Sequence, residues 1–256
     1  MTRPKYLTTP QGRRIAFHQS GGEGPGVVFL GGFRSDMTGT KALYLQDWAM
    51  RQGRAFLRFD YSGHGQSAGE FRDGAVGDWF EDALAALALT TGPQVLVGSS
   101  MGGWIALLLA RAVPERIAGL IGIAAAPDFT EDSMWAGFSE RQRAELMAAG
   151  QIAVPSEYAA EPYVITRRLI EEGRRRLVLR TSLNLPFPVR LLQGTADVDV
   201  PMAVALRLLD HATGRDIRLI LVRGADHRFS TPECLELIGK TVAEVPGSGR
   251  SDAGHS

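Results

Sequence analysis

Apolar and polar positions alternate in blocks along this chain. Short apolar runs bounded by turn residues recur at Val27–Leu30, Ala55–Phe59, Val95–Val97, Leu120–Ala124, Val189–Leu192 and Ile217–Val222. Amphipathic stretches at about Lys41–Arg51, Val76–Leu89, Met101–Ala112, Met202–His211 and Thr231–Val245 separate or follow them. Continuous apolar runs suit strands buried on both faces, and intervening helical periods suit crossovers, so the pattern predicts an α/β fold with a mostly parallel sheet flanked by helices. Arg14 to His18 alternates instead, after the Gln11-Gly12 turn signal. It reads as an antiparallel edge strand.

One interval breaks this rhythm. About sixty residues separate the runs ending at Ala124 and starting at Val189, too many for a structureless loop in a compact domain. Helical patterns at Ser139–Ala149 and Ser156–Arg176 predict a small helical cap, inserted at about 127–187 of a domain running from 1 to 245. Ligands of open α/β sheets sit beyond the carboxyl ends of the strands, where such an insertion would wall a site. The tail, Pro246–Ser256, has no apolar period and is expected to be disordered.

Composition narrows the function. Lys and Arg number 28 against 28 Asp and Glu, and a binder relying on phosphate neutralisation would show a basic excess, so no nucleic-acid partner is expected. Cys234 is the single cysteine, which excludes an internal disulfide and a multi-cysteine zinc site. The first residues lack the apolar core of a secretory signal, and the longest apolar run, Ile105–Ala110, is too short to span a bilayer. The expectation is therefore a cytoplasmic protein with no stable membrane insertion.

The chemistry concentrates in one segment. Val95-Leu96-Val97-Gly98-Ser99-Ser100-Met101-Gly102-Gly103 is a buried strand, a turn of small residues and a helix start. It contains G-x-S-x-G. At such a nucleophile elbow the serine occupies a strained turn that projects its hydroxyl, and neighbouring side chains would collide there unless they were hydrogens. Ser100 is the candidate nucleophile; Ser99 is its nearest rival, with a poorer spacing to the glycines.

A serine hydroxyl needs a base and the base an orienting acid, here expected in the chain order serine, acid, histidine. His227 follows the last strand and every other candidate, and it is the candidate general base. His64, in Asp60-Tyr61-Ser62-Gly63-His64-Gly65-Gln66-Ser67, is its competitor; preceding the serine, it reads better as a turn or pocket-wall residue. His18 lies on the alternating strand, His211 ends a helix and His255 lies in the tail. Two aspartates follow the Val189–Leu192 run: Asp197, the candidate acid, and Asp199, better read as a helix cap before Pro201. Asp226 reads as a turn residue of the His227 loop. The oxyanion donors are expected at the Met101 N–H, opening a helix, and at the Phe33 N–H, in Gly31-Gly32-Phe33-Arg34.

These residues resemble the α/β-hydrolase family from about Gly12 to Val245, through Arg58–Gly63, Val97–Trp104, Arg190-Leu191-Leu192, Asp197 with Val200-Pro201, and Asp226-His227-Arg228. Within it they are similar to acyl-protein thioesterases and acyl-glucuronide esterases. The resemblance implies a triad of Ser100, Asp197 and His227, a small-molecule ester or acylated-protein thioester as substrate, an acyl-enzyme, and no metal or organic cofactor. Gln193 stands where relatives often carry His, a departure expected to affect turn packing more than chemistry. Peptidases and carbon–carbon bond hydrolases share the scaffold. A non-catalytic ligand-binding module is the remaining alternative. Arg167, Arg168, Arg174, Arg175, Arg176 and Arg180 cluster in the insertion; they read as a solvated face paired with Glu171 and Glu172 rather than as a cradle for a substrate anion.

Overall fold

The computed structural model describes residues 3–154 and 162–245. The first half of the chain runs β1 (Lys5–Thr8), β2 (Arg14–Ser20), β3 (Glu23–Leu30), α1 (Thr40–Arg51), β4 (Arg54–Phe59), α2 (Val76–Leu87), β5 (Gln94–Ser99), α3 (Met101–Ala112) and β6 (Ile117–Ile123). An insertion follows, with a π-helical segment at Thr130–Trp135, α4 (Glu140–Ala149), β7 (Gln151–Val154), β8 (Tyr163–Thr166), α5 (Arg167–Arg174) and β9 (Leu183–Asn184). The chain then returns through β10 (Val189–Gly194), α6 (Met202–His211), β11 (Ala212–Thr213), β12 (Ile217–Val222) and α7 (Pro232–Glu244).

Eight strands form one sheet in the order β1-β2-β4-β3-β5-β6-β10-β12. The pairings β1–β2 and β2–β4 are antiparallel and those from β4 through β12 are parallel. This is the α/β-hydrolase fold. Successive side chains of a strand face opposite sides of the sheet. Val95 and Val97 accordingly join the core under α1 and α7, while Leu96 joins the core under α2 and α3. Every residue of β5 is buried, and so are Met101 through Ala110 of α3, which explains why both read as continuous apolar runs.

Two expectations are corrected. The Arg14 strand is antiparallel but is not an edge: Lys5–Thr8 pairs outside it, and that segment is too short and too exposed to show a period. The second helix of the insertion is shorter than the pattern suggested. Val164, Ile165 and Thr166 are β-branched residues that suit a pleated surface; they belong to β8, which pairs antiparallel with β7. The helix starts only at Arg167, capped by Thr166 Oγ1, which accepts from Leu169 N–H at 3.1 Å. Residues 156–161 of the expected helix, His255 and the Pro246–Ser256 tail lie outside the described residues.

The insertion is closed at its neck. Asp128, fully buried, accepts the N–H groups of Val178 and Leu179 at 2.8 and 3.0 Å and the Arg180 guanidinium at 3.0 Å. One carboxylate thus ties the outgoing chain to the returning one. The arginines of the insertion are largely matched to carboxylates: Arg167 to Glu171, Arg168 to Asp78, Arg174 to Glu131, Arg175 to Glu172, and Arg180 to Asp128 and Asp132. Arg176 lies over the Phe80 ring. The paired reading of this cluster is the one the geometry favours, with a wider set of partners than Glu171 and Glu172 alone.

Candidate active site

The turn between β5 and α3 holds Ser100 at φ 54° and ψ −117°, a conformation that an L-residue keeps only when its surroundings over-determine it. They do so here. Ser100 N–H donates to the Ile123 carbonyl at 2.9 Å, and its own carbonyl accepts from Gly103 and Ala126 N–H at 2.9 and 3.1 Å. The flanking glycines are required by contact: a Cβ at Gly98 would lie 2.3 Å from the Gly102 oxygen, and one at Gly102 would lie 2.1 Å from the Leu30 oxygen.

Ser100 Oγ is 3.1 Å from His227 Nε2, and His227 Nδ1 is 3.0 Å from Asp197 Oδ2. A carboxylate only accepts, so Nδ1 carries the proton and Nε2 offers its lone pair to the serine hydroxyl. The structure therefore brings together the three predicted side chains, and it is Ser100, not Ser99, that meets the imidazole. The loops carrying Asp197 and His227 are stitched to each other. Ala196 N–H donates to the Ala225 carbonyl at 3.0 Å, Gly224 N–H donates to Thr195 Oγ1 at 2.9 Å, and a Cβ at Gly194 would lie 2.1 Å from the Ala225 oxygen. Asp226 acts as the expected turn residue, accepting from Phe229 N–H. Lys41, from α1, donates its ammonium to the Arg228 carbonyl beside His227.

Asp197 is buried and accepts four N–H donors. Oδ1 takes Asp199 and Val200 N–H at 3.0 and 2.9 Å; Oδ2 takes Gln193 Nε2 and His227 Nδ1, each at 3.0 Å. Burial raises its pKa, but the hydrogen bonds from His227, Val200 and Gln193 outweigh burial and hold the carboxyl below its usual range. Gln193 is the residue the sequence reading undervalued. It grips the carboxylate itself rather than merely packing the turn, and it also donates to the Val200 carbonyl at 2.9 Å. Asp199 is not the cap of α6: the N-cap position is Pro201. Among the described residues one trio, Asp197, Asp199 and His227, brings ligand-type atoms within 4.8 Å of one another, but the carboxylate of Asp197 and the imidazole of His227 are already bonded to each other and to the groups above.

The Met101 N–H opens α3, where the first turn has no intrahelical acceptors. Phe33 follows Gly32, at which an added Cβ would stand 3.5 Å from Ser100 Cβ, so both expected oxyanion donors belong to segments abutting the serine. A cavity of about 920 Å³ opens over them, lined by Ser100, His227, Gly32 and Phe33, and by Phe129, Met134, Tyr163 and Leu179 of the insertion. Of the other histidines, His211 meets the Thr181 carbonyl, His18 sits in β2, and His64 is buried behind the cavity wall.

A strained serine at a strand–turn–helix junction, set at the carboxyl edge of a mostly parallel sheet, defines the class as an α/β hydrolase. Residues 26–168 match the hydrolase family described as serine aminopeptidase, S33. The chain is 36% identical over 242 residues, 94% of its length and 81% of the relative's, to the mitochondrial palmitoyl-protein thioesterase ABHD10 of Rattus norvegicus. It superposes on a putative hydrolase from Agrobacterium vitis S4 with a TM-score of 0.91 at 42% identity, covering 94% of this chain and 98% of that one. On the mouse ABHD10 structure the TM-score is 0.87 at 32% identity, covering 95% and 98%. The chain belongs to the α/β-hydrolase family that includes ABHD10, and it is a hydrolase of that class. The cytoplasmic expectation is overturned, because these curated relatives are named mitochondrial. That expectation rests on the lack of an apolar signal core and of a bilayer-spanning run, and neither bears on an organellar presequence, which is amphipathic and Arg-rich. Among the described residues no helix is long and apolar enough to cross a membrane.

Proposed function

We propose that this protein cleaves carboxylic ester or thioester bonds through an acyl-enzyme formed on Ser100. His227 Nε2 takes the hydroxyl proton as Ser100 Oγ attacks the acyl carbonyl, and Asp197 holds the imidazole in the Nδ1–H tautomer and stabilises the imidazolium. The backbone N–H groups of Met101 and Phe33 receive the oxyanion. The proton passes from His227 to the departing alcohol or thiol. Water, deprotonated by the same imidazole, then releases the acid and restores the serine. The observation that carries this reading is the unbroken line Asp197–His227–Ser100, at 3.0 and 3.1 Å, ending on a serine that opens into a cavity.

The relatives' printed name supplies the substrate class, a fatty-acylated thioester, and the apolar walls Phe129, Met134, Tyr163, Leu179, Val200 and Val204 suit an acyl chain. An anionic leaving group gripped by the arginines of the insertion loses support, since Arg167, Arg168, Arg174, Arg175 and Arg180 are paired with carboxylates and none of these or Arg176 lines the cavity. Ser100→Ala is expected to lower kcat on a p-nitrophenyl ester by about 10⁴–10⁶-fold and to abolish fluorophosphonate labelling. Normal turnover in that variant would remove Ser100 from the mechanism. The family model's description favours peptidase chemistry as the second reading. Turnover of aminoacyl p-nitroanilides exceeding that of acyl thioesters across a chain-length series would select it.

A further inference from the structure

The loop from β3 to α1 carries Phe33, and its shape is held from outside. Arg34 follows at φ 56°, another strained position. Its N–H, the far side of the Phe33 carbonyl's own peptide plane, lies 3.3 Å from Nε2 of His64. That histidine sits on the loop after β4, is only 4% exposed and takes no part in the wall of the cavity.

The protonation of His64 follows from its two partners. Nδ1 is 3.2 Å from the Ser62 carbonyl, which can only accept, so Nδ1 bears the proton. Arg34 N–H can only donate, so Nε2 bears the lone pair. The two contacts demand the same neutral tautomer. The acceptor below is itself anchored: the Ser62 carbonyl also takes Trp79 Nε1–H at 3.2 Å, and Ser62 N–H and Oγ donate to Asp82 Oδ2 at 2.8 and 2.6 Å. Asp82, fully buried, is paired with Arg13 at 2.7 Å. The imidazole is also boxed edge-on by Tyr61, Phe71 and Trp79, with centroids at 5.6, 5.0 and 5.2 Å. The Phe33 ring packs against Phe71 and Trp79 of the same group. Three residues beyond Arg34, Met37 N–H donates to Asp60 Oδ1 at 2.6 Å, a second hold from the β4 loop.

We propose that His64 is a positioning residue: by accepting Arg34 N–H it fixes the Phe33–Arg34 peptide, and so keeps the Phe33 N–H aimed at the place where the oxyanion forms. This rests on the oxyanion role assigned to Phe33 above. His64 acts through the loop and never on the substrate.

The test compares His64→Asn, whose amide can still reach the Ser62 carbonyl but not Arg34, with His64→Gln, whose carbonyl oxygen extends to the Nε2 position. On a p-nitrophenyl ester, His64→Asn is expected to lose about 30-fold in kcat at a KM within twofold of wild type, somewhat less than deleting an oxyanion donor outright. Affinity for a boronic acid that forms a tetrahedral adduct should fall in proportion, and His64→Gln should recover most of both. A kcat within threefold of wild type in His64→Asn overturns the proposal, as does a loss that appears in KM alone. In the wild-type protein, ring ¹⁵N shifts at pH 7 should report neutral His64 protonated at Nδ1. The opposite tautomer or an imidazolium overturns the proposal even where the Asn variant does not fold. Fluorophosphonate labelling of wild-type Ser100 keeps the two questions apart: its failure sinks the hydrolase mechanism, whereas normal labelling with an indifferent His64→Asn sinks only the role of His64.

Discussion

At the residue scale the site is defined by hydrogen bonds whose direction is forced. Asp197 can only accept, so each of its four donors stabilises the carboxylate and fixes the face it offers His227. Gln193 supplies one of those donors from β10, buried to 1% exposure. Replacing it by Leu deletes a charge-assisted bond worth about 1.5–3 kcal/mol and strips the Val200 carbonyl of a donor. Gln193→Leu is expected to reduce kcat about tenfold at nearly constant KM, with thiol or alcohol release on a chromogenic substrate as the readout. An unchanged kcat would mean that Asp199 and Val200 N–H suffice to hold the carboxylate. The side chain was readable in the sequence as a departure from its relatives. Its role was not, because the bond runs between residues four apart across a turn whose curvature no pattern of apolar positions encodes.

At the element scale, what the sequence disclosed followed the strength of the period. Met101–Ala112, Met202–His211 and Ile217–Val222 were legible to the residue, since each is an apolar or amphipathic run bounded by turn signals. The strand Lys5–Thr8 was not, because it is exposed, and β8 was hidden by its fusion to a helix one residue later. The triad was legible because chain order and strand ends constrain it. The work of His64 was not, because it depends on a backbone N–H thirty residues away. Long-range clasps of the same kind shape the insertion. Asp128→Ala would leave the Val178 and Leu179 N–H groups unpaired, each costing about 1–3 kcal/mol when buried. The expected loss is about 3 kcal/mol, or on the order of 10 °C in Tm for a chain of this size. A thermal melt followed by circular dichroism measures it, and a shift under 2 °C would show that the neck does not depend on this carboxylate.

At the scale of the whole molecule, buried titratable groups set the acid side of stability. Burial, reinforced by the charge of Arg34 and only partly opposed by the Ser62 carbonyl, lowers His64 from 6.5 to about 4. Because its folded pKa is depressed, the unfolded chain binds a proton that the folded one refuses. The stability associated with neutral His64 is complete above pH 6.5 and drains away as pH falls toward 4. Denaturant unfolding should therefore find wild type about 2 kcal/mol less stable at pH 5 than at pH 7 from this group alone, with His18, also lowered by burial, adding in the same direction. His64→Gln should flatten that slope. A stability difference between wild type and His64→Gln that stays constant from pH 7 to pH 5 would contradict the buried neutral imidazole, whereas Asp60 and Asp128, raised by burial, act in the opposite direction in both proteins.

The sheet order has a mechanical consequence for the relay. Asp197 and His227 follow β10 and β12, immediate neighbours in register from Val189–Ile217 to Gly194–Val222, whereas Ser100 follows β5, on the far side of β6. Acid and base therefore follow one adjacent pair of strands, and the nucleophile follows a strand two places away in the same sheet. A shear between β5 and β10 would lengthen the contact between serine and imidazole while leaving the bond that sets the tautomer intact.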